Sequence, residues 1–182
     1  MNIKNLIRCF GLLLALSTLT ACATPRILSN EINGLCLVTQ QDFRLSKKAL
    51  KTLDTQYMLE SPNAWVTPIT IGYQEIGLVP NSTKLSIFRV YEAYESIGYF
   101  RPDIVVKIEQ GKYKGIIASI PGFNESMADP DTRKRVADER GTFIFGSLWF
   151  TGFDRVDVPG KRLRRSDVNK IKFNPEYLKK CD

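Results

Sequence analysis

The fold is decided by Ile104-Val105-Val106-Lys107-Ile108-Glu109-Gln110-Gly111-Lys112-Tyr113-Lys114-Gly115-Ile116-Ile117-Ala118-Ser119-Ile120. Two runs dominated by isoleucine and valine flank Gln110-Gly111-Lys112, the pattern of an antiparallel hairpin. β-Branched side chains suit the pleated, half-buried surface of a sheet better than a helix. Upstream, Lys84 to Tyr94 is rich in Ile, Val, Phe and Tyr, and Val79-Pro80-Asn81-Ser82-Thr83 leads into it. Earlier still, Trp65-Val66-Thr67-Pro68-Ile69-Thr70-Ile71 is expected as a strand, with Pro68 marking an edge or bulge.

Working outward, helices are short. Ser46 is expected to cap a helix over Lys47 to Leu53, although only Ala49, Leu50 and Leu53 there are apolar. Asp129 and Pro130 are expected to open another from Pro130 to Arg140, with Gly141 just past its end. Thr142 to Phe153 is a run of aromatics expected to form one or two strands. Strands therefore outnumber helices, and the expected fold is mostly β (α+β). It is a single small domain, an antiparallel sheet or small barrel with short helices. No internal repeat or low-complexity run interrupts it. The order of turns, Val79 to Leu85 into a strand and Gly111 to Gly115 reversing a hairpin, resembles small Src-homology-like barrels of bacterial envelope proteins. That resemblance implies a fold and no functional residue.

The amino terminus carries an address. Lys4 and Arg8 are its only charges before Cys22, and Cys9 to Leu19 forms a short apolar stretch. Eleven residues are too few to span a bilayer, which needs about 20; a basic start, apolar centre and small residues are the order of a signal peptide. The stretch ends in Leu19-Thr20-Ala21-Cys22, which resembles the lipobox of bacterial lipoproteins at all four positions. The resemblance implies cleavage after Ala21, diacylglycerol on the Cys22 thiol and acylation of the new amino terminus. Ala23 in place of an aspartate implies sorting to the outer membrane of a diderm bacterium. The expected organisation is thus a leader over 1–21, a lipidated tether over 22–34 and a periplasm-facing domain over 35–182.

Cysteine usage fits that compartment. Cys9 leaves with the leader and Cys22 carries lipid, so Cys36 and Cys181 remain as a disulfide candidate in an oxidising periplasm.

Histidine is absent from all 182 residues. Ser-His-Asp triads, Cys-His dyads and histidine-dependent zinc sites are excluded with it. No Gly-x-Ser-x-Gly elbow or Asp-x-Asp-x-Asp-Gly loop occurs. The near acid pairs, Glu92 with Glu95, Asp129 with Asp131 and Asp154 with Asp157, are read as solvated surface charge. No catalytic residue, metal ligand or cofactor is expected. Aromatics Phe143, Phe145, Trp149, Phe150 and Phe153 are expected in the core rather than on a sugar-stacking platform.

Charge is more telling. Of 26 Lys and Arg, two leave with the leader, so 24 face 19 acids. Arg133 to Asp182 is the more basic part, and its densest cluster is Lys161-Arg162-Leu163-Arg164-Arg165 after the Pro159-Gly160 turn. These four cations are the candidate anionic contact, suited to lipid headgroup phosphates, an anionic glycolipid or an acidic protein. Nucleic acid is not an expected partner outside the cytoplasm. The resulting expectation is a non-enzymatic, lipid-anchored envelope protein that binds another envelope component. The alternative is an immunity lipoprotein that neutralises a periplasm-delivered toxin such as a type VI secretion effector, and an envelope hydrolase is the third possibility.

Overall fold

Lys84–Tyr94 forms the longest strand among the described residues, and other strands assemble along both its edges. The computed structural model describes residues 25–29, 31–52, 54–60, 73–94, 100–120, 149–151 and 162–182. Its strands are β1 (Arg26–Ser29), β2 (Cys36–Thr39), β3 (Phe43–Thr52), β4 (Thr55–Glu60), β5 (Tyr73–Val79), β6 (Lys84–Tyr94), β7 (Phe100–Ile108), β8 (Ile117–Ile120), β9 (Phe150–Thr151), β10 (Lys172–Phe173) and β11 (Leu178–Lys180). One 3₁₀ helix, Arg165–Lys170, precedes β10.

Nine strands make one mixed sheet in the order β11-β2-β6-β7-β8-β4-β3-β5, with β1 beside β6. One edge of β6 is shared: Cys36 pairs with Ser86 near its start, and Arg26 pairs with Glu92 near its end. Its other edge carries β7, and β7 carries β8, joined as the expected hairpin. Gly111 and Gly115 turn that loop at φ +77 and +88, a conformation that a side chain resists. The sheet is not wholly antiparallel as expected, because β4 runs parallel to β8.

Alternation along the ladders puts Leu85, Ile87 and Val90 of β6 on one face with Ile104, Val106 and Ile108 of β7, all at 1% exposure or less. Phe43 of β3, Trp149 and Tyr177 complete this core: the Phe43 and Trp149 rings lie 4.2 Å apart, and those of Trp149 and Tyr177 5.4 Å apart. Phe43 belongs near one end of the strand order, whereas Tyr177 leads directly into β11 at the other. The sheet is therefore curled, though among the described residues no ladder joins β5 to β11. Across the curl, the Tyr113 hydroxyl donates to the Ile76 carbonyl, and a Cβ at Gly77 (φ +148) would collide with that same hydroxyl. Trp149 and Phe150 are buried, as expected; Phe143, Phe145 and Phe153 lie outside the described residues.

Two expectations are overturned. Lys47 to Thr52 is not a helix but the second half of β3, which pairs with β4 at Lys47 and Thr52 and with β5 as far as Lys48; Leu53 lies outside the described residues. Ser46 caps nothing and is buried at 3% exposure. Ladder pairing along β3 outweighs the slight helical preference of this segment. The second concerns the tether over 22–34: its residues 26–29 are β1, and Leu28 is fully buried in the core. The Trp65–Ile71 strand and the Pro130–Arg140 helix lie outside the described residues.

Cys36 and Cys181 are disulfide-bonded across β2 and β11, with Cα atoms 5.3 Å apart, and the Cys181 N–H donates to the Cys36 carbonyl at 3.1 Å. The bond closes a sequence separation of 145. In the chain-entropy model such a loop is worth about 5 kcal/mol. Reduction, or Cys36→Ser with Cys181→Ser, is expected to lower the unfolding free energy by up to that amount. Denaturant titration of oxidised and reduced protein measures it; equal midpoints would contradict the expectation.

Candidate functional site: a buried carboxylate beside a basic turn

Glu92 sits on β6 at the register position facing Arg26, on the core side of the sheet, with its side chain fully buried. A buried carboxylate is costly unless every lone pair is used. Here it accepts from Arg26 Nε at 3.2 Å and Nη2 at 3.0 Å, from Arg162 Nη2 at 2.5 Å and from the Leu163 backbone N–H at 2.6 Å. Arg26 Nη2 also donates to the Leu163 carbonyl at 2.6 Å. Burial pushes the Glu92 carboxyl upward, but the hydrogen bonds from Arg26, Leu163 and Arg162 outweigh it and hold the group below its ordinary range.

This cluster corrects two readings. Glu92 is not solvated surface charge, because its side chain has no exposed surface and two guanidiniums neutralise it. Nor does Arg162 stand free in an anionic contact: it is committed to Glu92 and its guanidinium lies 4.3 Å from the centre of the Phe100 ring. Arg164 and Arg165 remain exposed, as expected. Lys161 and Cys22 lie outside the described residues, as do Glu95, Asp129, Asp131, Asp154 and Asp157.

After Leu163 the chain turns into the 3₁₀ helix. Asp167 accepts from the Arg164 backbone N–H at 3.1 Å and pairs with Lys170 at 3.2 Å. Asn169 Nδ2 donates to Glu31 at 2.5 Å, which fixes the far end of the turn beside β1. Val168 packs into the core. Arg26 and Arg162 thus meet on Glu92 where β1 begins, and the turn that carries Arg164 and Arg165 follows directly.

Two further polar clusters lie on the opposite face of the sheet. Arg89 and the Tyr91 hydroxyl both donate to Asp54, the former at 2.9 Å. Glu60 is buried at 2% exposure; Ser46 Oγ donates to its Oε2 at 2.6 Å, while Oε1 has no partner. Burial pushes this carboxyl above its ordinary value, against the Ser46 hydrogen bond and the Arg44 and Lys48 charges. Nearby, Lys48 Nζ reaches Ser119 Oγ only at 3.5 Å, and that hydroxyl donates to the Tyr57 carbonyl at 3.3 Å, so the lysine does not draw a proton from it. Among the described residues no group of three or more Cys, Asp or Glu is placed to hold a metal ion.

The sequence alone gives no sign of Glu60 or Arg26 and puts Glu92 at the surface. The available signal was one acid set within Val90-Tyr91-Glu92-Ala93-Tyr94, where alternation puts it on the same face as Val90. Comparison of this chain with family models, curated proteins and solved structures finds no match.

The two buried glutamates carry opposite pH signatures. Glu92 has a lowered pKa, so its stabilisation is present above the ordinary value of 4.5 and lost as pH falls through the folded value. Glu92→Gln is expected to cost about 2–4 kcal/mol at pH 7. The gap from wild type should close in acid. Glu60 has a raised pKa, so its cost begins as pH rises past 4.5. Glu60→Gln is expected to leave stability at pH 4 unchanged and to raise the unfolding midpoint at pH 8. Thermal unfolding of both variants between pH 4 and 8 checks the two signs.

Proposed function

We propose that this protein is a lipid-anchored envelope protein whose compact β domain binds another envelope component rather than catalysing a reaction. The observation that carries this reading is the N-terminal sequence: Lys4 and Arg8, an apolar stretch from Cys9 to Leu19, then Leu19-Thr20-Ala21-Cys22. Charge, length and the four-residue box agree independently. Lipidation at Cys22 adds two acyl chains on glycerol and one on the amino terminus, beyond the roughly two needed for stable anchoring. Ala23 directs the reading to an outer membrane, with the domain on its periplasmic side.

The Cys36–Cys181 bond supports an oxidising compartment. The absence of histidine removes the commonest general base and supports a binding role. Of the expected contact cluster, Arg164 and Arg165 are exposed and, unlike Arg162, form no ion pair among the described residues.

Metabolic labelling with palmitate tests the anchor. Wild type is expected to take up label and fractionate with membranes; Cys22→Ser is expected to remain unlabelled, as an unprocessed precursor or a released domain. A wild-type chain that takes up no label and fractionates as soluble would overturn the proposal.

A further inference from the structure

We infer that the basic turn Arg164–Lys170 docks on anionic lipid headgroups, and that this docking fixes the domain's orientation with its disulfide end away from the bilayer. The inference rests on the lipid-anchor reading and adds to it which end of the domain meets the membrane and through which side chains.

Covalent geometry is the first ground. Only Ala23, Thr24 and Pro25 separate Cys22 from Arg26, the first residue of β1. Four residue steps reach at most about 14 Å. The domain therefore has no long leash. Whatever lies beside Arg26 is held within reach of the headgroups.

The Glu92 cluster decides what lies there. Arg26 binds both Glu92 and the Leu163 carbonyl, and Leu163 in turn donates to Glu92, so the basic turn is fastened to the strand that follows the anchor. Asn169 fastens its other end to Glu31. Arg26, Arg162, Arg164, Arg165 and Lys170 gather here against Glu31, Glu92 and Asp167, a net charge of +2. Arg162 spends its charge on Glu92, whereas Arg164 and Arg165 are exposed and form no ion pair among the described residues. Lys170 pairs with Asp167 yet stays 57% exposed. Exposed cations suit the headgroup layer, where charge meets phosphate.

Distance supplies the opposite end. Cys36 pairs with Ser86 and Arg26 with Glu92, six residues further along β6. That is about 20 Å of strand. The disulfide, the Pro80–Thr83 turn and the Gly111–Gly115 loop would then face the periplasm.

Each cation near an anionic surface is worth roughly fivefold in binding, so Arg164 and Arg165, the two outside an ion pair, give about a 25-fold preference. The anchor holds the domain at high local concentration, so this preference suffices without further contacts. It should fall with salt.

The test uses the full lipidated chain reconstituted into vesicles of phosphatidylcholine alone, or with three parts in ten phosphatidylglycerol. Hydrogen exchange of residues 162–170 is the readout, and flotation reports the anchor separately. On anionic vesicles this segment is expected to exchange about tenfold more slowly than on neutral ones. The protection should vanish in 0.5 M salt and in Arg164→Glu with Arg165→Glu, while wild type and variant float equally. Both substitutions are at exposed sites, and an unchanged unfolding midpoint verifies the fold. Flotation with both vesicles but equal exchange would overturn the docking and leave the anchor standing. Flotation with neither would overturn the anchor and the orientation with it. Equal protection on neutral vesicles by inorganic phosphate would assign the cations to a free anion and overturn the lipid surface.

Discussion

A charge with no exposed surface must be matched where it lies, and Glu92 is matched by groups far apart in sequence. Arg26 stands 66 positions before it and Leu163 stands 71 after it. Taking this carboxylate out of water is costly, and the two guanidiniums and one backbone N–H offset that cost rather than adding a large surplus. The larger consequence is positional. A carboxylate with four donors at 2.5–3.2 Å tolerates one register of β1 on β6 and one placement of the chain around Leu163. A one-residue slip of β1 would turn Arg26 away from Glu92 and Leu28 out of the core.

Glu60 shows what the same side chain does without such partners. It is equally buried, on the other face of the sheet, with one hydroxyl donor and one oxygen unpaired. Arg44 lies opposite it on β3, but its Nε pairs with Glu75 at 3.3 Å. The two carboxyls are displaced in opposite directions because the number of donors, not the depth of burial, differs between them. Glu92 behaves as a structural anion. Burial pushes the Glu60 carboxyl above its ordinary value, because one hydroxyl donor does not offset the loss of water.

Legibility followed the range of the interactions. The β7–β8 hairpin was readable because its cause is local: two isoleucine- and valine-rich runs and glycines at positions of positive φ. β6 was readable as Lys84 to Tyr94 for the same reason. The disulfide was readable by elimination, since only two cysteines remain after Cys22. β3 was misread as a helix because its strand character comes from β4 and β5, and nothing in Lys47 to Leu53 announces those neighbours. The tether was misread because its one fully buried leucine, Leu28, has its partners on other strands. Likewise the five-residue cluster Lys161 to Arg165 looked uniform in sequence, yet one member is bound to a carboxylate 70 positions upstream while two remain in solvent.

Two fastenings on opposite ends of β6 act on the same stretch of chain. Leu163 is tied to Glu92, and Cys181 is tied to Cys36 beside Ser86. Between them the chain delivers Val168, Ile171, Tyr177 and Leu178 to the core, and Tyr177 completes the ring cluster with Phe43 and Trp149. These apolar side chains can be buried only after the tail has crossed from one end of β6 to the other, so much of the core depends on contacts of large sequence separation. Loop-closure entropy must be met before those contacts return any stability, which makes such topologies slow to fold. The carboxylate cluster holds the tail at its entry and the disulfide holds it at its exit. Each lowers the entropic cost of the other because the loop left to close becomes shorter. The coupling explains why a polar cluster worth little in net free energy can sit at a position on which the apolar core depends.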